Sequence, residues 1–430
     1  MKSGIKIIDI IRKTDIVGKY NLLKDSNYNK RIPLYPDKEQ LVRLLSNLKK
    51  HSPYYKNILN KYTYYDISCD PVTIFHQLPI IDKKTVNDHY REFYNPVKDR
   101  PIQKKKTGGS TGSPFYYYVD TEHLSWFWAY IYFFWNNYSG YNPGDSFATI
   151  AGSSLSTGKK KLIENTYHLL QNNYFIKGDV INPDIKINFR LTNKAVLLYG
   201  YPSSIINLLR VKPELVDNVK NIKAIFTTSE QLLPQNRQLI EAAFNKPVFD
   251  MYGANDGGIL TCECPMHSGY HINTLNCYVE TFTNEFGMSE LLLSNLNSFG
   301  FPLVRYRVGD LGEVETGNCE CGLNWPRVTE LKGRTRDVIK LKDGTSIHGS
   351  LFNKVFYRYE KIDGYKIVQN KDLTITLYIH LKNEEQFEFI SSNLRHDFNE
   401  IIGSIELKVE LMHEQNPTNQ KFKLIESHAI

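Results

Sequence analysis

The sequence predicts an α/β protein in two parts: a large N-terminal domain with mixed sheets and a β subdomain, then a small α+β domain. Three observations predict it. Between residues 100 and 260, short β-rich runs alternate with helix-like ones, the pattern of an α/β sheet. Residues 276–316 switch to strands joined by turns. After Gly333 the pattern changes again, to a compact module of about 100 residues that mixes strands and helices.

Residues 1–100 read as polar and helical. Ser52-Pro53-Tyr54-Tyr55-Lys56 opens one helix, and Leu78-Pro79-Ile80-Ile81-Asp82-Lys83 punctuates the entry to another. The α/β stretch carries strands at Phe115–Val119, Ser146–Ala151, Ala195–Tyr199, Ala224–Thr228 and Pro247–Met251. Helix-like segments such as Ser204–Arg210 and Pro234–Phe244 lie between them. Trp126 to Trp135 is too short to span a bilayer and reads as a buried helix. The β subdomain has strands at Tyr278–Thr283, Glu290–Ser294 and Gly312–Glu315. The C-terminal module has strands at Val338–Leu341, Tyr365–Gln369, Leu373–His380 and Ile405–Leu411, with helices at Gly349–Tyr359 and Glu384–Phe398.

The 430 residues suffice for two or three domains, and 41% hydrophobic content provides a full core. The net charge of +7 is mild and scattered. Its one dense run, Lys104-Lys105-Lys106, reads as a rim facing polyphosphate rather than a nucleic-acid patch. Residues 1–13 lack the uncharged apolar core of a signal peptide and suit a short amphipathic helix packed on the body. Cytoplasmic residence is the expectation, with no transmembrane segment and no nucleic-acid partner. The six cysteines then do not form a disulfide framework.

Lys106-Thr107-Gly108-Gly109-Ser110-Thr111-Gly112-Ser113-Pro114 lies between two strand-like segments. Glycines permit φ > 0, so successive backbone N–H groups can turn inward as an anion nest. Ser110, Thr111 and Ser113 add hydroxyl donors. A solvated hairpin turn has the same composition. The run is not a Walker A loop, because no Gly-Lys-Ser/Thr tripeptide opens a helix.

Three downstream segments identify a family. They are Phe249-Asp-Met-Tyr-Gly-Ala-Asn-Asp-Gly-Gly258, Phe301-Pro-Leu-Val-Arg-Tyr-Arg-Val-Gly-Asp-Leu-Gly312 and Lys332-Gly-Arg-Thr-Arg-Asp-Val-Ile-Lys-Leu-Lys-Asp-Gly344. With the glycine-rich run, they stand in the order expected of adenylate-forming (ANL) acid ligases. The chain resembles the phenylacetate–CoA ligase branch, and within it the CapK-type proteins of capsular polysaccharide gene clusters. Tyr199–Ser204 and Ser229–Leu232 also resemble that branch, and the resemblance covers nearly the whole chain.

The resemblance implies ATP-dependent activation of a carboxylic acid to an acyl-adenylate, in an N-terminal domain over 1–332 and a mobile C-terminal lid over 333–430. Thr107, Gly108, Gly109, Ser110, Thr111 and Gly112 would hold the β- and γ-phosphates. Asp310 would accept the ribose hydroxyls, and Arg334 would reach the ribose or phosphate side. Tyr252 and Gly253 would lie beside the adenine and the acyl group. Asn255 would face a phosphoryl oxygen, and Asp256 would serve Mg²⁺. Lys421 would be the catalytic lysine, with Lys423 its alternative, and the pivot would lie at Thr335–Asp337. Without the resemblance, Asp256 and Asp310 read as turn aspartates. The sequence departs from the family pattern in three places. Asn255-Asp256 replaces Thr-Glu, Gln420 replaces Gly before the lysine, and Arg336 stands at the hinge.

Five of the six cysteines lie between 262 and 321, with His267 and His271 among them. Two C-x-C pairs with histidines can close a tetrahedral zinc site, with free thiols and surface histidines as the alternative reading. The branch's Cys…Gly-x-His…Cys-x-Cys-Gly pattern implies Cys264, His271, Cys319 and Cys321 as ligands of a structural Zn²⁺.

The acid is expected to be aryl or glycan-related, and the acyl acceptor CoA or a sugar. Two other readings stay open: an adenylyltransferase that leaves AMP on its product, and a degenerate nucleotide-binding protein. The resemblance also suggests a homodimer.

Overall fold

In a computed structural model, the described residues are 3–25, 35–95, 102–106, 115–151, 161–177, 187, 194–254, 256, 258–284, 287–334, 338–342, 346–348, 352, 355–356, 359, 361–381, 383–403, 405–412 and 425–428. By its contacts the chain divides into two compact units. The first is Met1–Leu232, Ile240–Val308 and Gly312–Leu331. The second is Lys332–Ile430 with two short pieces, Leu233–Leu239 and Gly309–Leu311.

Among the described residues, the first unit opens with eight helices between Ser3 and Phe93. Most are short, and side-chain caps start several of them. Asp37 caps Lys38–His51 with a reciprocal box to Gln40, and Asp70 and Asp82 cap the helices that follow them. Leu41, Leu44, Leu45 and Leu48 then form one buried stripe against Tyr55, Ile74 and Phe75.

Strands β1 (Gln103–Lys106) and β2 (Tyr116–Val119) pair antiparallel, with Lys106 opposite Tyr116. Asp120 then caps the long aromatic helix Thr121–Ser139, which ends at Gly140 in the left-handed conformation. Trp135, Tyr132, Phe133 and Phe134 on this helix are fully buried. It is the buried aromatic helix expected from the sequence, and it packs on a five-stranded sheet. That sheet is built from β3 (Phe147–Ala151), β4 (Asn173–Lys177), β5 (Leu197–Gly200), β6 (Ala224–Thr228) and β7 (Val248–Met251), ordered β4-β3-β5-β6-β7, with every pair parallel. β3, β6 and β7 are buried at every residue, as strands covered on both faces must be.

A seven-stranded sheet follows, with β8 (Gly253–Ala254), β9 (Ile259–Glu263), β10 (Tyr270–Ile272), β11 (Cys277–Thr283), β12 (Ser289–Asn295), β13 (Tyr306–Glu315) and β14 (Arg327–Arg334). Its order is β11-β12-β13-β14-β10-β9-β8.

In the second unit, β15 (Val338–Lys340) and β16 (Ser346–His348) form a hairpin. A four-stranded sheet contains β17 (Ile362–Gln369), β18 (Ile375–Leu381), β19 (Leu407–Leu411) and β20 (Ile425–Ser427), ordered β19-β18-β17-β20. The helix Phe387–Ile402 lays Ile390, Leu394, Phe398 and Ile402 into its core. This is the α+β module expected after Gly333. The helix expected at Gly349–Tyr359 falls largely outside the described residues, where Phe352, Val355 and Phe356 alone are helical. No helix among the described residues is long and apolar enough to cross a membrane.

Candidate functional site

Ligands of open α/β sheets bind beyond the carboxyl ends of the strands. Here those ends carry the quoted motifs. β5 ends at Gly200, where a Cβ would lie 1.8 Å from the Ile150 carbonyl oxygen, so only glycine lets β5 approach β3 this closely. The next residue, Tyr201, donates its N–H to that same oxygen at 3.0 Å. β6 ends at Thr228, and Ser229 follows at φ +69, a strained angle for a non-glycine. That turn aims Glu230 at the first turn of the helix Pro202–Val211, where its carboxylate accepts from Ser203 N at 3.1 Å and Ser203 Oγ at 2.9 Å.

β7 leads into Tyr252. Asp250, inside the motif, is buried and fully engaged. Its oxygens accept from Thr227 Oγ1 at 2.6 Å and Tyr270 OH at 2.9 Å, and its N–H donates to Glu263 Oε2 at 2.9 Å. It ties β7 to β6, β9 and β10. The Tyr252 carbonyl accepts from Thr261 N at 2.7 Å and Thr261 Oγ1 at 2.9 Å. Gly253 pairs opposite Leu260.

Asp256 sits on the turn after β8, with its side chain 8% exposed. Its Oδ2 accepts from Tyr306 OH at 3.1 Å and lies 3.9 Å from Lys83 Nζ. Its Oδ1 makes no hydrogen bond among the described residues. Burial, reinforced by this carboxylate, pushes the Tyr117 phenol up. Gly258 closes the turn at φ +69, where a Cβ would meet Asn295 Nδ2 at 2.0 Å. Asn295 Nδ2 lies 3.0 Å from Nδ1 of the buried His123, at the start of the aromatic helix. A narrow crevice lined by Tyr117, His123, Asp256, Asn295 and Phe301 opens beside this corner. Burial drops His123 to about 4, against the pull of Asp120, so the ring is neutral at physiological pH.

Asp310 is buried on β13, one residue after Gly309 at φ +87, and belongs with the second unit. Arg334 ends β14, and its side chain is outside the described set. Thr107, Gly108, Gly109, Ser110, Thr111, Gly112, Asn255, Lys421, Lys423 and the pivot Thr335–Asp337 all lie outside the described residues.

The second constellation is complete. Cys264 follows β9, His271 lies on β10, and Cys319 and Cys321 stand in the loop between β13 and β14. Their ligand atoms all lie within 4.8 Å of one another. Cys264 Sγ to Cys319 Sγ is 3.7 Å, and Cys321 Sγ to His271 Nε2 is 3.3 Å. With Zn–S near 2.3 Å and Zn–N near 2.1 Å, a tetrahedral site has S···S and S···N edges of about 3.8 and 3.6 Å. Those two edges are close to those of an S₃N site, and all four ligand atoms stay within 4.8 Å of one another. Burial, with the Arg327 charge behind it, drops His271 to about 4 and keeps its ring neutral, as ligation needs. Burial alone would push the Cys319 thiol up, but hydrogen bonds from Ser268, Cys321 and Cys264 outweigh it and bring the thiol down to about 7. Cys262, His267 and Cys277 stay outside the cluster. His267 instead contacts Glu263 Oε2 at 3.2 Å.

Sequence reading gave no role to Lys83, His123, Asn295 or Tyr306. Tyr306 lies in a quoted motif, but its pairing with Asp256 is a tertiary fact. Lys83 carried only the signal of following the helix cap Asp82.

No family model matches the chain. It is 25% identical to Protein CapK of Staphylococcus aureus over 365 residues, 81% of this chain and 79% of that protein. Among solved structures it is similar to 2-hydroxyisobutyryl-CoA ligase in the postadenylation state in complex with R3-HIB-AMP. That match has a TM-score of 0.68 and 16% identity, covering 96% of this chain and 92% of that one. It is also similar to the anthranilate CoA ligase AuaEII in complex with anthranoyl-AMP, with a TM-score of 0.51 and 14% identity over 74% of this chain and 64% of that one. ATP-bound MatB from Rhodopseudomonas palustris gives 0.52 and 14%, over 73% and 65%. The fold is therefore that of these acyl-adenylate ligase structures. In sequence it is similar to Protein CapK.

Proposed function

We propose that the protein is an AMP-forming acid ligase that converts a carboxylic acid and ATP to an acyl-adenylate and then passes the acyl group to CoA or another acceptor. One observation carries this reading. Tyr252, Gly253 and Asp256 follow the carboxyl end of a parallel strand, in a chain whose fold matches an acyl-adenylate ligase along nearly its whole length.

In the proposed reaction a carboxylate oxygen attacks the α-phosphorus, and the bond to the β-phosphate breaks to release pyrophosphate. Charge that builds on the phosphoryl oxygens needs preoriented donors. Thr107–Gly112 would supply backbone N–H groups and hydroxyls, and Lys421 would bridge the acid and the α-phosphate. Asp310 would hold the ribose, with Arg334 beside it, and Asn255 would donate to a phosphoryl oxygen. Mg²⁺ fits Asp256 through Oδ1, since magnesium sites use one or two carboxylates plus substrate phosphates. When bound, the ion would neutralise phosphate charge. The half-buried Phe127, stacked on His123, would suit an aryl or apolar acid, with Tyr201, Ser203 and Tyr252 as further pocket residues. A sugar acceptor in surface-polysaccharide assembly is the finer reading that the CapK similarity supports. Zn²⁺ on Cys264, His271, Cys319 and Cys321 would be structural and would pin the loop after β13 to β9 and β10.

The contact between Lys83 and Asp256 favours a second reading, nucleotide binding without turnover, because a cation already faces the carboxylate. ATP–pyrophosphate exchange across aryl, fatty, amino and sugar acids separates the two. Exchange that depends on one acid class and collapses in Lys421→Ala supports the ligase. ATP binding with no acid-dependent exchange supports the second reading.

A further inference from the structure

The N-terminal helix Ser3–Arg12 has two apolar faces, and the fold uses only one. Ile5 and Ile8 are 0% and 2% exposed and enter the main core with Ile16, Tyr20 and Leu23. The opposite stripe remains in solvent, with Ile7 at 41%, Ile10 at 78% and Ile11 at 68% exposed. Their i, i+3, i+4 spacing puts all three on one side of the helix. The helix Lys161–Gln171 packs alongside. Gly4 meets the Leu170 carbonyl oxygen so closely that a Cβ would lie 2.1 Å away, and the Arg12 guanidinium stacks 3.9 Å over the Tyr167 ring. That second helix exposes Leu169 at 80%. Large aliphatic side chains this open, on two helices packed together, are the kind of exposed patch that marks an interaction surface.

Charge on the N-terminal helix identifies the occupant. Lys6 and Lys13 are exposed and make no ion pair among the described residues. The acidic residue Asp9 is spent internally, accepting from Thr14 Oγ1 at 2.6 Å, Ile16 N at 2.9 Å and Val17 N at 3.1 Å. Nearby Asp15 caps the next helix through Gly18 N at 3.1 Å. The charges left to face a partner are cationic. A two-fold dimer through this face would set Lys6 and Lys13 of one copy against those of the other, and four apolar side chains fall well short of the roughly 20–30 residues a side of a stable interface. An anionic surface meets both features, because aliphatic residues enter the acyl boundary while lysines pair with headgroups.

We propose that Ile7, Ile10 and Ile11, with Leu169 on the adjoining helix and Lys6 and Lys13 beside them, form a docking surface for an anionic lipid bilayer. Because Ile5 and Ile8 fix the helix to the body, it would lie flat in the interface and hold the whole protein there reversibly. A face of this size gives modest affinity, so both the apolar and the charged contributions are needed.

Flotation of the full chain with phosphatidylcholine vesicles, with and without phosphatidylglycerol, tests this. The expected result is recovery with the anionic vesicles only, weakened by added salt. Ile10→Ser/Ile11→Ser should lower partitioning at least about tenfold, and Lys6→Glu/Lys13→Glu should abolish it. Because Leu169 is open to solvent, Leu169→Ser provides a milder variant should the isoleucine pair disturb folding. Equal recovery with neutral vesicles, no recovery with either, or unchanged recovery of the variants overturns the proposal. So does a dimer in sedimentation that Ile10→Ser/Ile11→Ser splits, since a second copy then covers the face.

Discussion

The Asp256 corner and the cysteine cluster assemble their residues in different ways. The corner is nearly contiguous, since Tyr252, the short strand β8, Asp256 and Gly258 follow one another before β9, anchored by Asp250 behind them. The cluster draws on three separate segments, and Cys264 meets Cys319 across 55 positions of sequence. A contiguous turn can keep its shape through its own glycines and strand pairs. A cluster drawn from distant segments holds only if something bridges them. The difference predicts that changes in the cluster act first on stability, whereas changes in the corner act first on chemistry.

The largest effect is expected at the cluster. Cys264→Ser should take zinc from about one equivalent to near none and lower unfolding free energy by about 4 kcal/mol, since a structural metal's binding free energy is folding free energy. Metal analysis with denaturant unfolding checks this. Freshly purified protein with under half an equivalent of zinc and an unfolding curve unmoved by Cys264→Ser would remove the bridge and the contrast with it.

His123 ranks next. Its folded pKa is about 4, below the ordinary histidine value, because burial disfavours the cation. The unfolded chain therefore binds a proton below about 6.5 that the folded chain refuses until about 4. Stability from this group is complete above pH 6.5 and falls as pH drops through that window, by about 3 kcal/mol in total. Subtracting the pH–stability curve of His123→Gln from that of the parent isolates it. A difference that does not change with pH would mean that the folded ring takes up its proton as the unfolded one does. At Gly258, alanine would face both φ +69 and the Asn295 amide at 2.0 Å. Gly258→Ala should cost about 2 kcal/mol, measured by chemical unfolding. An unchanged midpoint would show that the corner relaxes freely.

Much of the fold is legible in the sequence because its strands are local patterns. β3, β5, β6 and β7 fall on the expected β-rich runs. β4 was not read, since Asn173-Tyr-Phe-Ile-Lys177 is short and polar at both ends, and it becomes a strand through its parallel pairing with β3. β13 begins at Tyr306, well before the expected Gly312, because Gly309 interrupts the residue pattern but not the ladder. The candidate site divides in the same way. The order of motifs is a linear property and can be read. Lys83 beside Asp256, or His123 beside Asn295, exists only after helices and sheet meet. The closeness of the Cys264, His271, Cys319 and Cys321 side chains is likewise a product of the fold, although their residue types and spacing are plain in the chain.

Asp256 should show the smallest stability effect, and its substitution is the sharpest test of the comparison. Asn in its place keeps an oxygen for the Tyr306 hydroxyl and loses only the attraction to Lys83, which lies 3.9 Å away with its side chain 27% exposed. At 3.9 Å, with Lys83 still in contact with water, the attraction is weak, so Asp256→Asn should move unfolding free energy by less than about 1 kcal/mol. Its effect on chemistry should be far larger. If Asp256 serves Mg²⁺, losing the carboxylate charge should cut acid-dependent pyrophosphate exchange by about 10²-fold and raise the magnesium concentration needed for half-maximal rate. Lys83→Met is the matching probe, since removing the competing cation should lower that concentration. If Asp256→Asn retains full exchange, the carboxylate is only the partner of Lys83. If it instead unfolds the protein as severely as Cys264→Ser, the corner is not self-supporting, and the division between a chemical and a structural region fails.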